Sequence, residues 1–163
     1  MALAQTLMKY LDDRGVDYQL MTHAHSASAA ESAHSAHLPT HQVAKAVVLR
    51  DEDGYVLSVL PANHTLEVSW VNAELGRQLE MAEEEELILL FDDCEVGAVP
   101  ALGEAYGIEV IWDDELQYTA DVYIEAGDHE HLIWLERRDF QKLMLSLPHT
   151  IISKDREVGC WKY

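Results

Sequence analysis

Apolar residues recur along this chain with two different periods, and the switches between them mark its elements. Leu3, Leu7 and Leu11 are spaced at four with Gly15 following, which predicts an N-terminal helix closed by a glycine C-cap. The stretch "VDYQLM" (16–21) reads as a strand. Ser28 and Glu31 have capping-box spacing, so an alanine-rich helix begins within "SASAAESAHSAH", and Pro39 ends it or opens the next turn. "KAVVLR" and "YVLSVLPA" flank "DEDG"; acidic turn residues and Gly54 between apolar runs predict a β-hairpin.

Further on, "LEVSWVNAELG" predicts a helix stopped at Gly76. "EMAEEEELILLF" predicts an acidic helix, with glutamates in the first turn where the helix dipole favours negative charge. "GAVPALG" is a loop marked by glycine and proline. "IEVIWD" reads as a strand, "DDELQ" as a short helical turn, and "DVYIEAG" with "HLIWLE" as a second hairpin around "DHE". "RRDFQKLMLSL" closes as an amphipathic helix. Residues 149–163 carry weaker signals and read as a loose C-terminal tail, leaving 1–148 as a single domain. Strands that pair locally with helices interspersed predict an α+β fold with a mixed sheet.

Composition narrows the class. At 163 residues and 48% hydrophobic content, the chain suits one globular domain with a sizeable core. No apolar run approaches the roughly 20 residues needed to span a bilayer. "MALAQTLMKYLDDRG" has acidic residues where a secretory signal needs a basic start and an apolar block. A cytoplasmic protein without a membrane partner is expected. Cys94 and Cys160 form no CxxC pair, so neither a disulfide framework nor a thiolate zinc site is expected, and both read as plain reduced cysteines.

The formal charge of −19 opposes non-specific binding to phosphate backbones. A nucleic-acid partner would need a local basic patch. The candidates are Arg137, Arg138 and Lys142, and, in the tail, Lys154, Arg156 and Lys162.

Against that background one cation stands out. Lys45 is the only lysine between Lys9 and Lys142, and it opens an apolar strand. Such a lysine can project into a cavity and bind an anion or polarise a carbonyl, or it can snorkel out of the strand end. The Gly97–Gly103 loop, through Ala98, Val99, Pro100 and Ala101, can bring backbone N–H groups close to a ligand, or can simply connect helix to strand. It contains neither GxGxxG nor GxxxxGK, so it is no nucleotide fingerprint. Among the histidines, His34 with His37 and His129 with His131 have spacings that could ligate zinc, but neither pair has an evident third ligand and no metal is expected. His129 follows Gly127 at a tight turn, where a pocket-edge role is open. The Glu83–Glu86 run reads as a solvated helix face, and no Ser/His/Asp or Cys/His arrangement is visible.

The order of these features resembles the YbaK/prolyl-tRNA-synthetase-associated domain family, the free-standing relatives of the editing insertion of bacterial prolyl-tRNA synthetases. The resemblance runs from "LDDRGVDYQLMTHAHS" to "RRDFQKLM". Within it, "QVAKAVVLRDEDGYVLSVLPA" carries the family's hallmark lysine as Lys45. "GAVPALGEAYGIEVIWDDEL" stands where the family has a GxxxP loop with a glycine two residues later, and "IEAGDHEHLIWLERRDF" resembles the glycine–x–histidine segment of some members. The family's proline position falls on Ala101, with Pro100 one residue earlier. The resemblance implies a curved mixed sheet flanked by helices and hydrolysis of mischarged aminoacyl-tRNA without metal, cofactor or covalent nucleophile. Mischarged tRNA would be the substrate and an aminoacyl-tRNA synthetase a second partner. A binding module of the same fold, recognising aminoacyl-tRNA, a nucleotide or a protein without catalysis, is the other reading.

On this resemblance Lys45 would hold the terminal phosphate or the ester region of the tRNA 3′ end. The loop beginning at Gly97 would present N–H groups to the scissile carbonyl and a water, and His129 would line the aminoacyl pocket. Such a site needs no strong acid or base, because an aminoacyl ester is already activated and one preorganised donor supplies roughly 3–4 kcal/mol. A second sieve is useful because one methylene discriminates substrates by only about 1–3 kcal/mol.

Overall fold

In the computed structural model, which describes residues 3–26 and 28–156, helix α1 (Gln5–Arg14) buries Leu7 and Leu11 and ends at Gly15. Strand β1 (Gln19–Thr22) starts later than its pattern suggests: Val16 turns into the core, and only the following residues pair with a distant strand. Helix α2 (Ala29–Ser35) begins as expected, the Ser28 hydroxyl accepting the Glu31 N–H at 3.2 Å. Pro39 precedes a single 3-10 turn, Thr40–Gln42, that leads into the sheet.

The predicted hairpin is β2 (Val43–Asp51) and β3 (Gly54–Pro61), in register from Ala44 opposite Pro61 to Asp51 opposite Gly54. The Asp51 carboxylate accepts the Asp53 and Gly54 N–H groups in the turn, and Arg77 grips it from outside at 2.7 Å. Strand β4 (His64–Leu66) and helix α3 (Val68–Leu75) follow. The expected acidic helix is preceded by a short strand, β5 (Glu80–Met81), paired with β2. Helix α4 (Glu84–Leu90) starts only after Glu83 and Glu86 close a capping box. Strands β6 (Glu109–Asp113), β7 (Asp121–Glu125) and β8 (His131–Glu136), and helix α5 (Arg137–Met144), occupy their predicted stretches. Two further strands, β9 (His149–Thr150) and β10 (Ser153–Asp155), close the chain.

The sheet runs β1-β8-β7-β2-β3-β6-β9, parallel at β7/β2, β3/β6 and β6/β9 and antiparallel elsewhere along that path. It is the expected mixed sheet with helices about it. One face carries the main core, where Val48, Leu57, Val59, Val110, Trp112, Ile124 and Ile133 pack with α1 and α5. On the other face Leu49, Val56 and Ile111 meet Val71 of α3, while Val43 and Ala62 meet Ala33 of α2. Among the described residues no helix is long and apolar enough to cross a membrane.

Residues 149–156, assigned from sequence to a loose tail, are folded into this body. β9 pairs with β6, β10 pairs with β4, and Ile152 is fully buried with its N–H donated to Asp113 Oδ2 at 3.0 Å. Strands of two and three residues are too short to show a period, which is why the sequence signal was weak. Residues 157–163, with Cys160 and Lys162, lie outside the described residues.

Candidate functional site

Lys45 lies on β2 opposite Leu60, half-buried, and its Nζ donates to the His64 carbonyl at 2.6 Å. That carbonyl is held in place. The His64 ring Nδ1 lies 2.8 Å from Ser153 Oγ, which donates to Asp113 Oδ2 at 2.6 Å. A carboxylate only accepts, so the Ser153 proton points to Asp113 and His64 Nδ1–H donates to Ser153. Asp113, fully buried, also accepts the Glu115 and Ile152 N–H groups. Burial pushes the Lys45 ammonium below the ordinary lysine range, and the guanidinium of Arg156 adds to this. A lysine simply reaching into water would show neither effect.

The glycine-rich loop and the β7–β8 turn form a second assembly. His129, in a left-handed backbone (φ 61°), places Nε2 2.6 Å from the Val96 carbonyl. Since a carbonyl only accepts, Nε2 carries a proton and donates it to Val96. The Glu95 N–H donates to the Gly127 carbonyl at 2.7 Å. Asp128 shapes the turn: its Oδ1 accepts the Glu130 and His131 N–H groups, and its Oδ2 meets His131 Nδ1 at 2.6 Å. Burial opposes ionisation of Asp128, but these bonds outweigh it and hold the carboxyl below its ordinary range.

Gly97, next to Val96, is exposed and left-handed (φ 82°). Ala98, Pro100 and Ala101 are buried, Val99 is half-buried, and Gly103 opens a 3-10 turn, Gly103–Tyr106. A Cβ on Gly103 would lie 2.8 Å from Val110 Cγ2, so that glycine serves the close packing of the loop on the sheet. Ala98 N–H is taken by the Glu95 carbonyl, whereas the N–H groups of Gly97, Val99, Ala101 and Leu102 have no acceptor among the described residues. The structure therefore brings Gly97 and His129 together. Lys45 is on β2, and among the described residues no hydrogen bond joins it to either.

A buried polar cluster lies beside the His129 turn, on the sheet face that Lys45 shares, and sequence reasoning missed it. The parallel β2/β7 register sets Val43 beside Tyr123 and Ala44 beside Ile124. Lys45 and Glu125 come next on their strands and both turn to the face covered by α2. Glu125 is 3% exposed and accepts from Ser32 Oγ of α2 at 2.5 Å, while Ser32 Oγ and Ser26 Oγ are 2.7 Å apart. Burial raises the Glu125 carboxyl above its ordinary range, moderated by the Ser32 hydroxyl and by the nearby His129 and His23 rings. Glu125 Oε2, His23 Nε2, His129 Nδ1 and Ser58 Oγ are buried without hydrogen-bond partners. Orphaned polar atoms of this kind are costly unless a ligand or water completes them. The sequence signal was a lone glutamate inside the apolar strand "DVYIEAG".

The remaining candidates separate. His131 turns to Asp128 while His129 turns to Val96, and His37 is left-handed at the end of α2. Among the described residues no three His, Cys, Asp or Glu side chains are grouped to hold a metal ion. The Cys94 thiol, half-buried beside Tyr106 and Asp93, is pushed up to about 12, chiefly by burial, and is no ready nucleophile.

Comparison with protein families matches residues 23–143 to the aminoacyl-tRNA editing domain. The matched segment contains Lys45, the Gly97–Gly103 loop and His129, and covers most of the chain. This chain belongs to the aminoacyl-tRNA editing domain family. Similar solved folds agree with editing-domain architecture. A protein described as a candidate trans-editing enzyme for prolyl-tRNA synthetase superposes with a TM-score of 0.80 at 20% identity, over 93% of this chain and 96% of its own. The hypothetical protein APE2540 gives a TM-score of 0.80 at 20% identity, over 92% and 100%. A Marinobacter aquaeolei VT8 protein described as a candidate signal transduction protein gives 0.78 at 18% identity; it covers 94% of this chain, which spans only 31% of that longer protein. No curated protein matches the sequence.

Proposed function

We propose that this editing-domain protein is a trans-acting aminoacyl-tRNA deacylase. It hydrolyses the ester that joins a wrong amino acid to the tRNA 3′ end, in the cytoplasm and alongside an aminoacyl-tRNA synthetase. The observation that carries the reading is the His129–Val96 junction. Inside the family's matched segment, a histidine locks the start of a loop with an exposed glycine, whose N–H groups, without acceptors among the described residues, can donate to a carbonyl oxygen.

The chemistry follows from these parts. As water attacks the ester carbon, negative charge develops on the carbonyl oxygen, and N–H donors of the Gly97 loop stabilise it without a reorganisation cost. Lys45, held on the His64 carbonyl, binds the negative end of the tRNA and fixes the ester relative to the loop. His129, its Nε2 held on Val96 and its Nδ1 buried without a hydrogen-bond partner, lines the aminoacyl side. Val99, Pro100, Ala101 and Ala98 shape the loop, and Gly103 anchors it.

The test is single-turnover deacylation of a panel of mischarged tRNAs. Release of an amino acid from at least one, above the spontaneous rate, is expected. Tight binding of aminoacyl-tRNA without release from any would replace the enzyme with a binding module.

A further inference from the structure

Thirty acidic residues outnumber eleven basic ones, and most of the described Lys and Arg side chains are absorbed by ion pairs. Arg50 meets Glu80 and Glu86, Arg77 meets Asp51 and Glu109, and Lys154 meets Glu67. Lys45, Arg137, Lys142 and Arg156 depart from this rule. Arg137 donates to the Tyr118 and Thr119 carbonyls and Lys142 to the Gly15 carbonyl, each without a second cation on the same carbonyl, whereas Lys45 and Arg156 converge on one turn. Among the described residues neither of these two forms an ion pair, and both reach backbone carbonyls of that turn. Lys45 Nζ donates to His64 O at 2.6 Å, while Arg156 donates from Nη2 to Ala62 O at 2.7 Å and from Nε to Asn63 O at 3.3 Å. The Arg156 N–H also donates to Asn63 O, at 3.1 Å. Two positive groups are thus fixed on three consecutive carbonyls.

Like charges held this close repel, and Arg156 indeed disfavours the charged form of Lys45. In a chain so rich in carboxylates, an uncompensated pair of this kind points to an anion supplied from outside. The donors are not exhausted: Lys45 uses one of three N–H groups on His64, and Arg156 Nη1 makes no hydrogen bond among the described residues. Arg156 is exposed and Lys45 half-buried, so the pair forms an outer and an inner contact. A phosphodiester presents two non-bridging oxygens and one charge, one oxygen for each cation.

We propose that Lys45 and Arg156 together form a phosphodiester-binding site for the single-stranded 3′ end of an RNA. Arg156 takes the outer oxygen and Lys45 the inner one. The choice of RNA end rests on the deacylase reading; the anion site rests on the cations themselves. The docked C-terminal segment is then functional, because β10 pairing with β4 delivers Arg156 to the turn that holds Lys45.

The test titrates an uncharged RNA oligonucleotide of tRNA acceptor-end sequence into the parent, Arg156→Gln and Arg156→Lys over a salt series. The glutamine variant should bind about three- to tenfold more weakly, and its log–log salt slope should fall by about 0.7, the share of one phosphate contact on a single strand. The lysine variant keeps the charge and should keep most of the affinity and slope. Unchanged affinity and slope in a folded Arg156→Gln, or equal losses in both variants with an unchanged slope, would reduce Arg156 to a staple of the turn and overturn the proposal. Should Arg156→Gln fail to fold, the parent decides: in carbon-13-labelled lysine NMR, the depressed Lys45 titration should move upward when the RNA binds, and a titration that does not move overturns the site. Deacylation separates the two readings. RNA binding with the expected slopes but no hydrolysis of mischarged tRNA keeps the anion site and removes the enzyme. Hydrolysis by Arg156→Gln at the parent's KM keeps the enzyme and removes the anion site.

Discussion

Lys45→Ala should lower single-turnover deacylation by about 10²-fold or more, the scale of losing one preorganised stabilising donor. The fold should survive, because burial already disfavours this ammonium and its removal leaves only the His64 carbonyl to rehydrate. Circular dichroism and the rate together decide; a folded variant at the parent rate would remove Lys45 from the mechanism. Glu125 gives a pH test. Its carboxyl is raised above the ordinary value of 4.5, so between 4.5 and its folded value the native state keeps a proton that the unfolded chain has released. Stability therefore falls as pH rises through that window, with a slope of up to about 1.4 kcal/mol per pH unit. Glu125→Gln keeps an acceptor for Ser32 and removes the titration. Its melting temperature should exceed the parent's at pH 7–8, with the gap closing toward pH 4; parallel curves across that range would mean Glu125 ionises freely in the fold. Lys45 was legible from sequence because a cation in so acidic a chain is conspicuous. Glu125 was not, because one glutamate among thirty acidic residues carries no mark until its burial is known.

The Gly97–Gly103 loop can be separated from mere backbone strain. Gly97→Ala forces an alanine into φ 82°, which costs roughly 1–2 kcal/mol of stability. Gly76→Ala imposes the same kind of strain at φ 65° on the far end of α3, where an added Cβ meets nothing within 4 Å. Both variants should lose similar melting temperature. Only Gly97→Ala should also lose hydrolysis, by about 10²–10³-fold if a loop donor is displaced. Equal activity in the two would make the loop a connector. Ala101→Pro restores the family's proline at a position whose N–H has no acceptor among the described residues, so it should be tolerated in folding and activity. The C-terminal strands make a purely structural prediction. Ile152→Ala empties a fully buried position between α3 and the sheet and should cost about 2–5 kcal/mol by denaturant unfolding. A loss below about 0.5 kcal/mol would mean the segment is only laid against the surface.

Across the whole molecule the charge of −19 sets the response to salt. Screening should relieve self-repulsion and raise the melting temperature, while the same salt weakens RNA binding at Lys45 and Arg156. Opposite trends in thermal melts and RNA titrations are expected, and a melting temperature that falls with salt would show that favourable ion pairs such as Arg77 with Asp51 outweigh the repulsion. The period of apolar residues was enough by itself to place the β2–β3 hairpin, the β7–β8 hairpin and the helices, because those elements are long enough to repeat a pattern. Residue identity was enough to mark Lys45, the Gly97 loop and His129 as candidates, since an isolated cation, paired glycines and a histidine after glycine are local signals, while their proposed roles come from the family resemblance. Tertiary structure alone decided the rest. Parallel pairing of β2 with β7 put Lys45 and Glu125 on one face although they lie far apart in the chain. The docking of two strands of two and three residues turned an expected tail into part of the core and carried Arg156 to Lys45. Such long-range contacts have no period to read, because they depend on burial and register that exist only once the sheet has closed.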